Sequence, residues 1–314
     1  MKIVFMGTSE FSLKALEAIF NFSKIDENFE IVAVYSQPPK PFGRGYKFKK
    51  SVTHEFAEKV GIPVLTPKGL RKPEQAEIFK SLNADIAIVA AYGLIIPQNI
   101  LDIPPKGFIN IHGSLLPRWR GAAPIQSAIL SGDKTTGITI MKMDAGVDTG
   151  AIISMKSIDI TPKMNHGELS EILGNLGADM IVDTLKNLDS SLAKAYPQPV
   201  DGITLSQKIL KEDCKINWKN SAENILRQIL AFAPSPAAWC EINNIRLKIF
   251  DADIIDFDSS FQATPGMIQN NKNLIVACGD KFLKISKIQP AGKNIMDGES
   301  FLRGHADLIH KIIE

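Results

Sequence analysis

An asparagine and a histidine occupy alternate positions at the end of a short apolar stretch of this chain. Asn110 and His112 flank Ile111 in residues 107–112, whose apolar pattern predicts a buried strand. Side chains alternate along a strand, so the two polar groups share one face, and ligands of α/β sheets bind at the carboxyl ends of the strands. An amide and an imidazole placed there can polarise a carbonyl group together. The alternative is a histidine that serves only the local structure.

Two acids lie on a glycine-containing segment further along the chain. Residues 143–150 contain Asp144 and Asp148, each within two residues of a glycine. A carboxylate beside His112 would orient the imidazole ring for acid–base chemistry. An ordinary Asp-Gly turn with solvated acids is the other interpretation of this segment.

A third segment whose residues could take part in binding or chemistry is basic. Residues 37–50 contain no acid and mix glycines, prolines and aromatic residues with Lys40, Arg44, Lys47, Lys49 and Lys50. This composition is typical of a loop that meets a phosphate backbone and stacks against bases. A solvated, lysine-rich connection is the alternative.

The elements that must position these groups follow an α/β pattern in the first half of the chain. Apolar runs that predict strands alternate with amphipathic stretches that predict helices, which indicates a mostly parallel sheet covered by helices. The predicted strands lie at 2–6, 31–35, 64–65, 85–91, 107–112, 137–144 and 150–160, the last two near a sheet edge. The predicted helices lie at 11–22, 52–60 and 168–188.

The second half of the chain follows a different pattern. Residues 189–206 lack periodicity and collect turn formers, which predicts a linker. Asn220, with Glu223 three residues later, resembles a helix start. Short strand-like runs then predict a small barrel, at 239–242, 245–250, 274–277 and 282–285.

Composition excludes several classes of protein. The length of 314 residues favours two domains, and 45% hydrophobic residues are enough to form cores. With 22% charged residues and a net charge of +2, the chain is neither a disordered polyelectrolyte nor a histone-like arm. Three cysteines without a C-x-x-C pair argue against a disulfide scaffold and favour a reducing compartment. The sequence contains no predicted signal peptide or membrane span, so we expect a cytoplasmic protein.

Common cofactor motifs are missing from the sequence. It contains neither G-x-G-x-x-G nor G-x-x-x-x-G-K-[ST], which argues against a dinucleotide cofactor and a P-loop. The remaining histidines are scattered without metal-ligand spacing, so we predict no metal site.

Several segments of the chain form a distinctive set of motifs. The longest, residues 110–125, reads Asn-Ile-His-Gly-Ser-Leu-Leu-Pro-Arg-Trp-Arg-Gly-Ala-Ala-Pro-Ile. Residues 144–150 follow with Asp-Ala-Gly-Val-Asp-Thr-Gly. Further segments of the set lie at 5–8 with Phe11, 37–38 with 43–45, 91–97, 137–139 and 289–293. Together these segments resemble the folate-dependent formyltransferases, and the resemblance extends over nearly the whole chain.

The resemblance implies a fold and a reaction. The fold is a Rossmann-like catalytic domain over 1–188, a linker over 189–206 and an OB-like, tRNA-binding domain over 207–314, in agreement with the element pattern. Within the family, the similarity is to members that use 10-formyltetrahydrofolate as co-substrate, without a tightly bound cofactor. Those members formylate the α-amino group of methionine on the initiator tRNA, whose acceptor stem they contact. We also expect a monomer.

The resemblance also implies roles for individual residues. Asn110, His112 and Asp148 match the catalytic triad of the family. Folate contacts are implied for Leu94, Ser114, Leu115, Leu116, Pro117 and Asp144. The loop that enters the acceptor stem falls on residues 38–50, with Arg44 as its key arginine. The neutral amine gains a positive charge as it attacks the formyl carbon, so a proton must move from it to the leaving nitrogen, and His112, Asp148 or an ordered water are all candidate carriers.

Three positions depart from the family pattern. Pro39 stands where an acid is expected, and Phe42 stands where a small residue is usual, so both would stiffen or enlarge the basic loop. Asn217, before Trp218, replaces an expected acid in the second domain.

Two other functions remain as alternatives at this stage. A formyltransferase that acts on a small amine, such as glycinamide ribonucleotide or an amino sugar, would carry the same triad but needs neither the basic loop nor the barrel. A non-catalytic RNA-binding protein would leave the polar triad without a purpose.

Overall fold

The computed structural model describes residues 1–42, 47–243, 245–256, 263–269 and 272–313, and the chain divides into two compact units. The first unit comprises Met1–Pro124, Thr135–Asp159 and Ser170–Gln207. The second comprises Ile125–Lys134, Ile160–Leu169 and Lys208–Glu314. The chain therefore contributes to the second unit three times, whereas the domain prediction used single boundaries after residues 188 and 206.

Strands and helices alternate through the part of the chain that precedes residue 207. The strands are β1 (Lys2–Gly7), β2 (Glu30–Tyr35), β3 (Lys40–Phe42), β4 (Lys47–Lys49), β5 (Val64–Leu65), β6 (Ile86–Ala90), β7 (Phe108–His112), β8 (Arg120–Gly121), β9 (Thr135–Lys142), β10 (Ile152–Asp159) and β11 (Leu205–Ser206). The helices are α1 (Glu10–Ile25), α2 (Val52–Lys59), α3 (Pro73–Ser81), α4 (Gln98–Leu101), α5 (Pro124–Ser131), α6 (His166–Lys186) and α7 (Leu188–Ala193).

The first unit is built on a seven-stranded sheet with the order β10-β9-β7-β6-β1-β2-β5. The five strands from β7 to β5 pair in parallel, while β9 is antiparallel to β7 and β10 is antiparallel to β9. Every residue of β6 and β7 is buried, which explains why these strands show no polar alternation along most of their length. The predicted parallel sheet and the two added strands at its edge are confirmed.

The path of β9 decides how the two predicted site segments meet. In the register of the antiparallel pair, Ile109 lies opposite Lys142, and His112 lies opposite Thr139. The strand β9 thus ends beside the start of β7, far from its carboxyl end. The segment that follows Lys142 must run back along the sheet to bring Asp148 to the end of β7.

The second unit is rich in antiparallel strands. After residue 207 the strands are β12 (Ala238–Ile242), β13 (Ile245–Ile255), β14 (Ile275–Ala277), β15 (Phe282–Pro290) and β16 (Met296–Asp297), and the helices are α8 (Ala222–Phe232) and α9 (Gly298–Arg303). The sheet order is β12-β13-β15-β14, with β16 also paired to β15. A mostly parallel α/β sheet in the first unit and a strand-rich second unit confirm the predicted fold class with its OB-like second domain.

Some helices differ from the sequence prediction. The helices α3, α4, α5 and α9 have no predicted counterpart, and α7 begins one residue before the predicted linker and continues into it. A single side chain is buried in each of α3 and α7, Phe79 and Leu188 respectively, so no 3.6-residue apolar period arises there. The start of α8 is one residue later than predicted, because Ser221 accepts the Asn224 N–H as the N-cap.

Candidate active site

Asn110 and His112 project from one face of β7 into a nearly closed site. The exposed fractions of Asn110 and His112 are 8% and 4%. Ile109 and Ile111, which alternate with them along the strand, are buried on the opposite face. Strand β7 pairs with β6 on one side and with β9 on the other, so the side chains of Asn110 and His112 point out of the plane of the sheet.

Asp148 joins both of these side chains. Its Oδ1 atom accepts a hydrogen bond of 3.2 Å from Asn110 Nδ2, and its Oδ2 atom lies 3.6 Å from His112 Nδ1. The backbone N–H of Gly121 donates a further hydrogen bond of 2.8 Å to Oδ2. The structure therefore brings the three residues predicted as a triad together, and it adds a backbone donor that holds the carboxylate in place.

The loop that carries Asp148 is tightly folded. Asp148 has a φ of 53°, a left-handed conformation that aspartate tolerates better than most residues. A Cβ atom on Gly150 would lie 1.8 Å from the Lys142 carbonyl oxygen, so only glycine fits there. Asp144, predicted to contact folate, is exposed and accepts hydrogen bonds from the Gly146 N–H and the Thr149 hydroxyl, at 3.0 and 2.6 Å. These bonds shape the loop.

The other nitrogen of His112 faces the loop after β7. His112 Nε2 lies 3.0 Å from the Trp119 backbone oxygen, and because a carbonyl oxygen only accepts, Nε2 carries the hydrogen. The loop is held internally by a 2.6 Å hydrogen bond from the Ser114 hydroxyl to the Arg118 carbonyl. The guanidinium of Arg118 stacks over the Trp119 ring at 4.3 Å.

The residues predicted to contact folate lie in different environments. Ser114 and Leu116 are buried, whereas Leu115 and Pro117 are half-buried. Leu94 is half-buried and lines a cavity of about 700 Å³. Three basic residues, Lys68, Arg71 and Lys72, line the same cavity. Folate contacts for all six predicted positions remain predictions.

The basic segment forms a β-hairpin. Strands β3 and β4 pair antiparallel, with Lys40 opposite Lys49 and Pro41 opposite Phe48, whose side chain is 72% exposed. Arg44, predicted as the key arginine, falls between the two strands and outside the described residues, and the side chain of Lys47 is not described either. The hairpin thus presents an exposed aromatic ring among lysines.

Lys40 and Lys50, both predicted to bind tRNA, contact polar side chains of the protein itself. Lys40 Nζ donates to the Gln37 side-chain oxygen at 2.7 Å. Lys50 Nζ forms an ion pair with Glu58 at 2.6 Å, and this hydrogen bond holds the pKa of the Glu58 carboxyl below its usual range. Glu58 therefore competes with any phosphate for Lys50.

The cysteines do not add a nucleophile to the site. Cys214, Cys240 and Cys278 are free and buried, and burial raises the pKa of each thiol, to about 12 for Cys278. A thiol in that state is a poor nucleophile at neutral pH.

In the described ranges, no group of three or more potential metal ligands comes together. None of the helices described has both the length and the apolar composition that a membrane crossing requires.

Sequence reasoning missed two residues that touch this site. Gln198 contacts the backbone of the Asp148 loop, and Thr204 accepts a 2.8 Å hydrogen bond from the Trp119 N–H. Both lie in the segment predicted as a linker. A glutamine between two prolines was the one local signal, since prolines restrict the backbone around it.

Profile comparison places both parts of the chain in one family. The formyl transferase profile matches residues 1–185, and the profile of the formyl transferase C-terminal domain matches residues 208–306. A methionyl-tRNA formyltransferase of Paramagnetospirillum magneticum is 45% identical over 307 residues, which cover 98% of this chain and 97% of that protein. The similarity thus runs through both units.

Solved structures share the fold. The methionyl-tRNA formyltransferase of Clostridium thermocellum superposes with a TM-score of 0.55 at 21% identity, over 81% of this chain and 93% of that one. HypX of Aquifex aeolicus, determined in complex with tetrahydrofolic acid, superposes with a TM-score of 0.63 at 14% identity, over 98% of this chain and 48% of that one.

Proposed function

Because this chain belongs to the formyl transferase family, we propose that it transfers the formyl group of 10-formyltetrahydrofolate to the α-amino group of methionine on initiator tRNA. The product is formylmethionyl-tRNA, which serves translation initiation. The observation that carries this proposal is the meeting of Asn110, His112 and Asp148 in one nearly closed site, in a chain that matches a methionyl-tRNA formyltransferase along almost its whole length.

The site suits a carbonyl that becomes an oxyanion. The neutral amine of methionine attacks the formyl carbon, and the negative charge that develops on the formyl oxygen needs hydrogen-bond donors aimed at it. An amide nitrogen carries two hydrogens, and the bond to Asp148 uses one of those on Asn110. The second hydrogen and the His112 ring are the donors that we assign to the oxyanion. Asp148 orients both groups.

The bond changes balance without a covalent enzyme intermediate. A bond forms between the methionine nitrogen and the formyl carbon, and the bond from that carbon to N10 of the folate breaks. One proton leaves the methionine nitrogen, and one proton reaches N10. His112, Asp148 and an ordered water are the candidate carriers.

The cavity beside Leu94 suits the folate. Its volume of about 700 Å³ is in the range of small-molecule sites, and Leu94 supplies an apolar wall. Folates end in glutamate carboxylates, and Lys68, Arg71 and Lys72 offer positive charge along the same walls. We therefore assign this cavity to the co-substrate, with Leu94 and Arg71 as its main contacts.

The hairpin of β3 and β4 suits the acceptor stem of the tRNA. Lys40, Lys49 and Lys50 are exposed on it, and Phe48 presents a bare ring to a base. Such a hairpin has no use for a small-molecule acceptor, which favours a tRNA substrate. We further propose that the protein acts as a monomer in the cytoplasm, where free thiols persist.

A transfer assay tests the proposed function. Purified protein is incubated with 10-formyltetrahydrofolate and initiator tRNA that carries labelled methionine, with glycinamide ribonucleotide as a parallel acceptor. We expect formylmethionine to form on the tRNA and the small acceptor to stay unmodified. Transfer to the small acceptor alone would contradict the role of the hairpin, and transfer to neither would overturn the proposal.

A further inference from the structure

A strap of the first unit, residues 196–206, crosses the active site. At its start, Tyr196 pairs with Ile152 through backbone hydrogen bonds of 2.8 and 3.0 Å, which attach the strap to the edge strand β10. At its end, β11 pairs in parallel with β8, with Leu205 opposite Arg120. The strap therefore spans the distance between the loop that carries Asp148 and the loop that carries Trp119.

Gln198 is the residue of the strap that connects these loops through its side chain. Its Nε2 donates to the backbone oxygens of Asp148 and Gly150, at 2.8 and 2.9 Å. Its Oε1 accepts from Arg120 Nε and Nη2, at 2.9 and 2.7 Å. Both hydrogens and both lone pairs of the amide are thus used. One side chain ties the aspartate loop to β8.

The backbone around Gln198 suits this role. Pro197 and Pro199 flank it, and each proline has a fixed φ and no N–H group. The residue before a proline is further restricted to extended conformations. Gln198 therefore presents its amide from a stiff segment.

The two segments that Gln198 connects carry the Asp148 carboxylate and one of its hydrogen-bond donors, the Gly121 N–H. Gly121, whose N–H donates to Asp148 Oδ2, is the residue directly after Arg120. The Asp148 backbone is itself strained, with a φ of 53°. The carboxylate lies 3.6 Å from His112 Nδ1, so a small displacement of the loop removes the contact. A misplacement of about 1 Å in a catalytic site can cost about 10²-fold in rate.

We propose that Gln198 is a positioning residue for formyl transfer: its amide holds Asp148 against His112 and Asn110, with Arg120 as its anchor. This inference rests on the proposed function for its kinetic readout. Gln198 acts through Asp148 and contacts neither substrate, so its loss slows the chemical step and leaves substrate binding intact.

Two variants remove different sets of the hydrogen bonds that Gln198 makes. Gln198→Met keeps the length of the side chain and removes all four hydrogen bonds. Gln198→Glu keeps an oxygen for Arg120, and hence a half-buried ion pair that supports folding, but it removes the donors to the Asp148 and Gly150 carbonyls. Tyr196→Phe is the matched control, because it lies on the same strap and loses only a hydroxyl contact with the Met155 sulfur.

We expect kcat to fall about 10- to 100-fold in both Gln198 variants, with KM for 10-formyltetrahydrofolate and for Met-tRNA within about twofold of wild type. Tyr196→Phe should keep wild-type kcat. An unchanged kcat in Gln198→Glu would overturn the inference, as would a loss that appears in KM instead.

A second measurement needs no activity. The Gly121 amide proton should exchange with solvent about tenfold faster or more in Gln198→Glu than in wild type, because its acceptor is no longer held. An equal exchange rate would overturn the inference. If the wild-type protein forms no formylmethionyl-tRNA, the proposed function fails, whereas the exchange rate still decides whether Gln198 holds Asp148.

Discussion

The Nε2 atom of His112 lies 3.0 Å from the backbone oxygen of Trp119, seven residues further along the chain. Trp119 has a φ of 63°, a left-handed conformation that costs energy for a residue with a side chain. A formyl oxygen that takes a hydrogen bond from Nε2 must therefore compete with this carbonyl. The loop between β7 and β8 thus lies against the imidazole that we propose for catalysis, and the strap contacts this loop through Thr204 and the pairing of β11 with β8.

His112→Ala should lower kcat about 10²- to 10⁴-fold, because the ring supplies a donor to the oxyanion and a candidate proton carrier. Since His112 is only 4% exposed, binding of Met-tRNA should persist. Steady-state kinetics and a filter-binding assay measure the two effects. Wild-type turnover in this variant would contradict the assigned mechanism.

Phe48→Ala should lower kcat/KM for Met-tRNA about 5- to 100-fold, the range expected when one base loses its aromatic stacking partner. The KM for 10-formyltetrahydrofolate should stay at the wild-type value. Phe48→Trp retains an aromatic face and should restore most of the activity. Equal losses for both substrates would mean that the ring supports folding or the folate site.

Glu58→Gln should improve tRNA use, because it frees Lys50 from its ion pair. One added phosphate contact steepens the dependence of log(kcat/KM) on log salt by up to about 0.9. Lys50→Gln is the opposite control and should make the salt dependence shallower. If neither variant changes the slope, Lys50 does not contact the tRNA backbone.

His166 should make the protein less stable in mild acid. Burial lowers the pKa of its imidazole in the folded state, so the unfolded chain binds more protons as the pH falls through the unfolded value of about 6.5. The free energy of unfolding should then decrease between about pH 7.5 and about pH 5.5. The His166→Gln variant should lose less stability than wild type over this pH range. Thermal unfolding at several pH values measures the stability of each protein, and His310→Asn, a substitution of an exposed histidine, is the control. An identical pH dependence in wild type and His166→Gln would contradict the prediction.

Local sequence patterns predicted most of the fold because they report which faces of an element are buried. The run at 85–91, which is apolar from Ile86 onward, predicted the central strand β6, and the residues before Gly61 predicted α2. The helix α3 was missed because Phe79 is its one fully buried side chain, and a single position has no period. The segment from 189 to 206 looked like a linker because backbone pairing of β11 with β8 leaves no pattern in side-chain types.

By itself, the sequence predicted the candidate catalytic residues, the alternation that puts Asn110 and His112 on one face, and the family to which they point. Only the tertiary structure decided that Asp148 meets them, because β9 runs antiparallel to β7 and its following loop must turn back across the sheet. The structure also decided that Gln198 holds that loop. Periodicity encodes contacts between residues a few positions apart, whereas contacts across about 50 positions depend on where the folded backbone brings distant loops.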